Sequence, residues 1–348
     1  MEMQNMTVAT PKTPGVYINE VNGFANSEVP VATAVPAFIG YTPKAEYEGK
    51  SYLNKAQKVT NFAEFKAIYM LDSPAAPADP AKQYSPEYYL VAEKTKPESG
   101  DYVSIDSLYY SILPDPNTIY YLYNSVRMFF ENGGGDAYIV SVGPYGEPTK
   151  KPMPLSESQI VNTNVKLDDL ATGLATLKFE EEPTMYYCPE ATLLSVANNG
   201  TIMQEMLLQA EQMQTVICLF DIIGGRNPDP IMYTNDIETF RDNTGSQGLK
   251  YGTCYYPFVG TTIMQSGDID FTSLFGGDIT KLAALLNPPH KPNPVAEKLI
   301  EMIENPSTNS LTNSQIHAAL LNASKAYSLI IKHVLHDVNI LPPCGGMA

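Results

Sequence analysis

Asp221 has the position in this chain that is most typical of catalytic chemistry. It lies near the end of the apolar run 215–223 and precedes Gly224 and Gly225. In open α/β sheets, ligands bind at the carboxyl ends of the strands, where such an aspartate would lie. Catalysis would also need a partner such as His, Lys or Ser, and no recognisable motif supplies one. We therefore expect a non-enzymatic protein without catalytic residues, and Asp221 is the residue that tests this expectation.

Two clusters have the residue types of a metal site. His333 and His336 are three residues apart and Asp337 is adjacent, so an ion could be bound there. Two histidines near the end of a helix fit the helix dipole equally well. Residues 180–182 are three glutamates, a pattern more typical of a solvated loop that leads into a strand. The sequence therefore predicts no bound metal and no cofactor.

Glycines after apolar segments raise the question of a phosphate-binding loop. The strand-like run 31–42 contains Gly40, but no GxGxxG or GxxxxGK pattern follows it. A second glycine cluster, residues 133–135, follows a helical pattern. An α/β enzyme or nucleotide-binding protein that acts at Asp221 or at residues 133–135 therefore stays open as an alternative function.

Composition restricts the classes of partner. The 348 residues are 44% hydrophobic and 17% charged, which is typical of a globular protein of one to three domains. A net charge of −16 argues against nucleic-acid binding and against docking on an anionic membrane. No apolar run approaches the ~20 residues that membrane insertion requires. The four cysteines form no CxxC pair and no signal peptide precedes them, so we expect assembly in the cytoplasm.

The segment 121–143 predicts a helix, a glycine turn and a buried strand. Its first apolar residues recur at helical spacing. Residues 132–135, Asn followed by three Gly, then end the helix, because these types adopt the left-handed cap conformation at low cost. Residues 137–142 follow as a β-branched and aromatic run that is typical of a core strand.

Strand-like and helix-like segments also alternate through the rest of the chain. Their β-α-β-α-β order predicts an α/β (α+β) fold in which helices flank a mixed sheet. The predicted strands are residues 31–42, which end at Gly40, then 137–142, 215–223 and 250–259, and a buried strand that follows the acidic turn within residues 180–190. The predicted helices are one capped by Asn61 and those at residues 121–130, 167–177, 201–213 and 231–243.

Two segments interrupt this alternation. Residues 71–117 are rich in Pro, Ala and Tyr and predict a small inserted outer domain, or else an ordered loop. Residues 260–340 predict a helical insertion. Its first helix begins at Pro294 with Asn293 as the cap and ends at Asn305. A second helix is predicted to begin at Asn313 or Ser314 and to run to about Val338. The predicted buried face of the first helix consists of Val295, Leu299 and Ile303.

Four segments, taken in order, resemble signatures of the contractile tail sheath proteins of myophages, R-type pyocins and extracellular contractile injection systems. The first is similar to the PGVY arm of that family and comprises Pro14, Gly15, Val16, Tyr17, Ile18, Glu20 and Val21. The other three are similar to its fold signatures and comprise Val35, Pro36, Phe38, Gly40, Arg127, Phe129, Phe130, Asn132, Gly133, Gly134, Gly135, Pro342 and Pro343.

The resemblance implies a mechanical role. Subunits of this family form hexameric rings that stack helically around an inner tube protein, between a baseplate and a terminator or cap protein. Contraction then drives the tube through a target envelope. The particle is a virion tail or a released phage-tail-like particle. A baseplate or cap component that shares the sheath fold without contracting is the closest alternative.

The resemblance also implies a domain organisation. Residues 1–26 would form an arm that adds a strand to a neighbouring subunit, although residues 14–21 alone fit an internal edge strand equally well. Residues 27–70 and 118–259 would form the sheath core. The family's final motif normally continues into a C-terminal domain. Residues 341–348 would be the truncated start of that domain, and Cys344 departs from the usual residue.

Overall fold

The computed structural model describes residues 34–71, 85–97, 102–154, 159–306 and 311–348. The predicted arm lies outside the described residues, with Pro14, Gly15, Val16, Tyr17, Ile18, Glu20 and Val21. The described residues belong to one compact unit of the chain.

The strands and helices alternate along most of this unit. The strands are β1 (Pro36–Gly40), β2 (Glu46–Tyr47), β3 (Lys50–Ser51), β4 (Gln57–Val59), β5 (Tyr88–Glu93), β6 (Tyr102–Ile105), β7 (Leu108–Pro114), β8 (Ala137–Ser141), β9 (Met185–Tyr187), β10 (Ile217–Asp221), β11 (Gly252–Tyr255), β12 (Val259–Gly260) and β13 (Ile340–Leu341). The α-helices are α1 (Phe62–Tyr69), α2 (Leu122–Glu131), α3 (Leu167–Thr176), α4 (Val196–Met213), α5 (Tyr233–Thr244), α6 (Thr280–Leu286), α7 (Pro294–Glu304), α8 (Asn313–Ala323), α9 (Lys325–Val338) and α10 (Cys344–Met347).

A six-stranded central sheet has the order β11-β10-β9-β1-β8-β4. The first five strands pair in parallel, and β4 pairs antiparallel with β8. The central strand β1 is flanked by β9 and β8, with Phe38 opposite Tyr187 on one side and Ile139 on the other. The prediction of a mixed sheet with helices is therefore confirmed.

Helices cover both faces of this sheet. Ala37 and Ile39 of β1 pack into a cluster with side chains of α3 and α4, while Phe38 packs on the opposite face with those of α1 and α2. Successive strand residues point to opposite faces, so a strand covered on both sides reads as a continuous apolar run. This is why β1 is buried at every position.

The two edges of the central sheet differ. The β4 edge carries Lys58, which forms ion pairs with Asp136 (2.9 Å) and Glu182 (2.8 Å). The β11 edge consists of Gly, Thr, Cys and Tyr, and its Cys254 is exposed. Charged side chains on an edge strand discourage pairing with another chain, and among the described residues the β4 strand carries such a charge whereas the β11 strand does not.

A second lobe combines the two segments that interrupt the sequence pattern. The antiparallel sheet β5-β7-β6 and the helices α6 to α9 share one apolar core. Tyr88 of β5 and Tyr327 of α9 are both fully buried in it. A three-stranded sheet needs an apolar layer on one face to be stable, and here helices from a distant part of the chain supply that layer.

Three predicted elements were wrong in detail. The predicted helix over residues 313–338 is two helices, because Ser324 is extended and its hydroxyl accepts the N–H of Tyr327 as the cap of α9. The predicted strand 250–259 is divided into β11 and β12. Val295 is 60% exposed, because α7 buries the face that carries Ala296, Leu299 and Ile300 instead.

A buried ion pair connects the two lobes. Arg226, in the loop after β10, donates from Nη2 to the carboxylate of Asp337 on α9 at 2.6 Å. Its guanidinium also donates to the carbonyl oxygens of Asp337 (2.9 Å) and Ile340 (3.1 Å). The Tyr88 hydroxyl donates to the same Asp337 carboxylate at 2.7 Å. One cation therefore connects the central sheet to both parts of the second lobe.

We predict that Arg226→Met lowers the free energy of unfolding by about 3–5 kcal/mol, because it leaves a buried carboxylate without its cation. Urea denaturation would measure this loss. The double variant R226M/D337N should recover part of it, since the uncompensated charge is then gone. The control Arg241→Met changes an exposed side chain on α5 and should alter stability by no more than about 0.5 kcal/mol. Equal stability of R226M and R241M would contradict the role of the ion pair.

Candidate functional site

The residues predicted as fold signatures come together around β1 and α2. Val35 is buried and exchanges hydrogen bonds with Thr184: its N–H donates to the threonine hydroxyl (3.0 Å), and its carbonyl accepts the threonine N–H (2.9 Å). Pro36 is the first residue of β1, a position where a strand tolerates proline. The Phe38 ring packs edge-on against Phe129, with the ring centroids 5.7 Å apart.

Gly40 ends β1 beside a buried carboxylate. A side chain at this position would place its Cβ 2.2 Å from Oε2 of Glu190, so only glycine leaves room for the carboxylate. Glu190 itself is completely buried. The conformation at the end of the central strand therefore depends on this acid.

Glu190 binds the amino end of α2. Its Oε1 accepts the backbone N–H groups of Tyr121 (3.2 Å) and Leu122 (2.9 Å). These groups lack partners within the helix, and the helix dipole favours a negative charge beside them. Oε2 has no hydrogen-bond partner among the described residues. Burial raises the pKa of Glu190 to about 8, although the backbone hydrogen bonds oppose this shift.

Sequence reasoning missed Glu190. It lies at the end of the predicted stretch 180–190 and three residues beyond the observed strand β9, where a carboxylate is common in loops. The available signal was its place at the carboxyl end of a central strand, where helix amino ends also lie in a parallel sheet.

The glycine turn after α2 is closely packed. Gly133 has a φ of 91°, the left-handed region in which glycine is unstrained. The N–H of Gly134 donates to the carbonyl of Phe129 at 2.9 Å, and a Cβ on Gly134 would lie 2.6 Å from the Phe129 ring. Asn132 is the C-cap of α2, and its side-chain amide donates to the carbonyl of Met128 at 2.8 Å.

Arg127 and Phe130 lie on the outer part of α2. Arg127 forms ion pairs with Glu131 (2.7 Å) and with Asp268 (3.5 Å), which lies in the segment that leads to the second lobe. Phe130 is half-buried and contacts Phe62 of α1, with a centroid distance of 6.4 Å. Both residues thus fix α2 against its neighbours.

The end of the chain docks on the same helix. Pro342 and Pro343 are buried between β13 and α10, and α10 packs on α2. A Cβ on Gly345 would lie 2.7 Å from Cα of Ser125, so the two backbones are in direct contact at this point. The segment that resembles the last signature therefore contacts the segment that resembles the third.

Asp221 anchors this docked segment. Its Oδ1 accepts the backbone N–H of Cys344 (3.2 Å), and its Oδ2 accepts the hydroxyl of Tyr187 (2.6 Å). The side chain is buried, and burial raises its pKa to about 6. Both carboxylate oxygens are used in contacts within the fold. Asp221, whose place in the sequence is the most typical of a catalytic residue, therefore makes contacts that hold the fold together.

One cavity near this end of the sheet is small. It lies between Tyr121, Gly224 and Arg226 and has a volume of about 20 Å³. A single water needs roughly 10–15 Å³ on this measure, whereas pockets for organic ligands reach roughly 300–1,000 Å³. This cavity has room for about one water molecule and not for a nucleotide.

In the described ranges, no three side chains among His, Cys, Asp and Glu are placed to bind one ion, and Asp337, adjacent to His336, is paired with Arg226. Within the same ranges, no helix combines the length and apolar character needed to cross a bilayer.

Comparisons with known proteins do not assign this chain to a family. No family model matches the chain, and a search of curated proteins finds no significant match.

We predict that Gly134→Ala lowers the free energy of unfolding by about 1–3 kcal/mol, because the new methyl group overlaps the buried Phe129 ring. Thermal unfolding by circular dichroism would measure this. Gly135→Ala is the matched control: a Cβ there has no atom within 4 Å, so the change should stay within about 0.5 kcal/mol. If the two variants unfold alike, the turn does not depend on this contact.

We predict that Glu190→Gln makes stability less dependent on pH. Because the pKa of Glu190 is about 8 in the folded chain and near 4.5 in the unfolded chain, the folded chain binds the proton more tightly. Its contribution is complete below about pH 4.5 and is lost as the pH rises through about 8. Glutamine keeps the Oε1 acceptor for Tyr121 and Leu122 but does not titrate.

The free energy of unfolding, measured by urea at pH 5 and pH 8, should therefore fall less in E190Q than in the wild type, by on the order of a few kcal/mol. The control is Glu182→Gln. Lys58 lowers the pKa of that exposed carboxyl group, so it stays ionised over this range and its loss should leave the slope unchanged. An unchanged slope in E190Q would show that Glu190 is ionised in the fold.

Proposed function

We propose that this protein is a structural subunit of a contractile tail sheath, with no catalytic function. The subunit polymerises around an inner tube and contracts to drive the tube through a target cell envelope. The observation that carries the proposal is the docking of α10 on α2. Two segments that resemble separate signatures of the sheath family, near opposite ends of the described chain, contact each other where Gly345 meets Ser125.

The arrangement of the acids also supports a structural role. Asp221 and Glu190 are both buried, and each binds backbone N–H groups of the segments with the resemblance. An enzyme that used Asp221 would need a free carboxylate oxygen, and in the described structure both of its oxygens accept hydrogen bonds from Cys344 and Tyr187. The alternative as an α/β enzyme or nucleotide-binding protein therefore has no geometric support at this position.

A sheath subunit must transmit force without losing its own fold. The Arg226–Asp337 ion pair and the shared core of the second lobe suit this task, because they connect the inserted segments to the central sheet through buried contacts. In this proposal the central sheet with α1 to α5 is the sheath core, and residues 71–117 contribute a small inserted outer domain. Residues 260–340 form the helical insertion beside it.

Links between subunits come, in this proposal, from an extended arm, residues 1–26, which adds a strand to the sheet of a neighbour. Strand addition uses backbone hydrogen bonds, so it places few demands on sequence and holds while rigid bodies move. The partners are identical subunits in stacked hexameric rings, the inner tube protein, and the baseplate and terminator or cap proteins. Assembly takes place in the cytoplasm, and the product is a virion tail or a released particle.

We predict that deletion of residues 1–21 leaves a folded, soluble chain that does not polymerise. The described residues form a compact unit without that segment, so circular dichroism should give the wild-type spectrum. Negative-stain microscopy should show rings or tubes for the full chain and none for the deletion. A control of equal length replaces Val16, Ile18 and Val21 by Ser, which lowers strand propensity and should give the same loss. Undiminished assembly by the deletion would refute the arm's role.

A further inference from the structure

An exposed apolar tip lies at the start of α5. It consists of Ile231, Met232 and Tyr233, which are 82%, 52% and 45% exposed. The tip has a fixed shape, because Oδ1 of Asp229 accepts the N–H groups of both Ile231 (2.7 Å) and Met232 (2.9 Å). Single exposed apolar residues need no explanation, but adjacent ones on a preformed turn indicate a contact surface.

A groove with apolar and polar lining residues opens in the second lobe. Its apolar lining includes Leu285 of α6 and Ala326 and Leu329 of α9, and its volume is about 540 Å³. This lies within the range of roughly 300–1,000 Å³ that is typical of pockets with a bound ligand.

The charges around the two surfaces are complementary. Lys291 and Lys325 are exposed at the rim of the groove, where Asp106 lies 3.4 Å from His290. The tip carries the carboxylate of Asp229, whose pKa is lowered because it accepts the two backbone N–H groups, so it is ionised at neutral pH. The groove is thus lined by two lysines and one aspartate, and the Asp229 carboxylate on an apolar protrusion is attracted to the two ammonium groups.

The tip does not lie in the groove of its own chain. Arg226, three residues before Asp229, binds Asp337 near the end of α9, whereas the groove is beside Lys325 at the start of that helix. The 14 residues of α9 separate these points by about 20 Å at 1.5 Å per residue. Any contact between the tip and the groove is therefore a contact between two molecules.

We infer that the apolar tip of one copy of this chain docks in the groove of a second copy, with Asp229 facing Lys291 and Lys325. The two surfaces are different, so the contact is head-to-tail, and repeated contacts generate a ring or a helical filament. This inference rests on the proposed function, which requires copies of the chain to associate. It specifies one contact between them.

The test measures self-association of the full chain by sedimentation velocity over a concentration series. Replacing Ile231 and Met232 together by Asp should weaken association at least about 30-fold, because two apolar side chains no longer become buried and two charges are added. The control is Phe179→Asp, which introduces a charge at the 86% exposed Phe179, just before the strand β9 begins. F179D should associate like the wild type.

A charge-based cycle tests the same contact without changing apolar residues. Asp229→Asn keeps the Oδ1 acceptor for the turn and removes the charge, and K291E/K325E reverses the rim. Each change should weaken association about 3- to 10-fold. In the K291E/K325E background D229N should no longer weaken it, because the attraction it removes is already absent.

The outcomes separate this inference from the proposed function. Rings or tubes that form equally in wild type and in I231D/M232D would overturn the tip contact and leave the sheath proposal intact. A wild-type chain that stays monomeric would overturn both. Equal weakening by F179D and by the tip variant, or additive effects of D229N and the rim reversal, would also refute docking in the groove.

Discussion

The contact between the Glu190 carboxylate and the amino end of α2 determines how the central strand and the signature helix fit together. The acid needs space that only glycine leaves at position 40, and it satisfies two backbone groups that the helix cannot satisfy internally. In the described structure the helix N–H groups are its hydrogen-bonding partners, and burial opposes its charge. A buried carboxylate lowers the stability of a fold, but it can fix the orientation of the element that it binds. Here that element is α2, which contacts several other parts of the chain.

The second buried acid extends this arrangement to the end of the chain. Asp221 binds the N–H of Cys344, so β10, α2 and α10 have one fixed geometry. Arg226, five residues later, binds Asp337 and joins the second lobe to the same corner. Asp221, at the end of β10, and Arg226, in the loop that follows, thus position segments that an apolar core alone would leave free to slide. For a subunit that is proposed to bear force, directional contacts of this kind are more useful than additional apolar area.

Local chemistry in the sequence predicted most of the regular elements. The Asn61 cap, the glycine end of α2 and the Asn293–Pro294 start of α7 are all present, because each depends on neighbours within a few residues. Ser324 was missed because a serine cap inside an apolar pattern resembles an ordinary helical residue. Val295 was placed on the wrong face, because the buried face of a helix is chosen by its partners. Glu190 and Arg226 were missed for the same reason, since their partners are distant in sequence.

The unequal edges of the central sheet have a consequence for how the sheet could grow. A further strand that approached β4 would meet the paired charges of Lys58, Asp136 and Glu182, and it would have to desolvate them. At β11 it would meet uncharged side chains beside Cys254. Among the described residues, lateral growth of this sheet is therefore directional: it is favoured at β11, and joining two such sheets edge to edge through β4 is disfavoured.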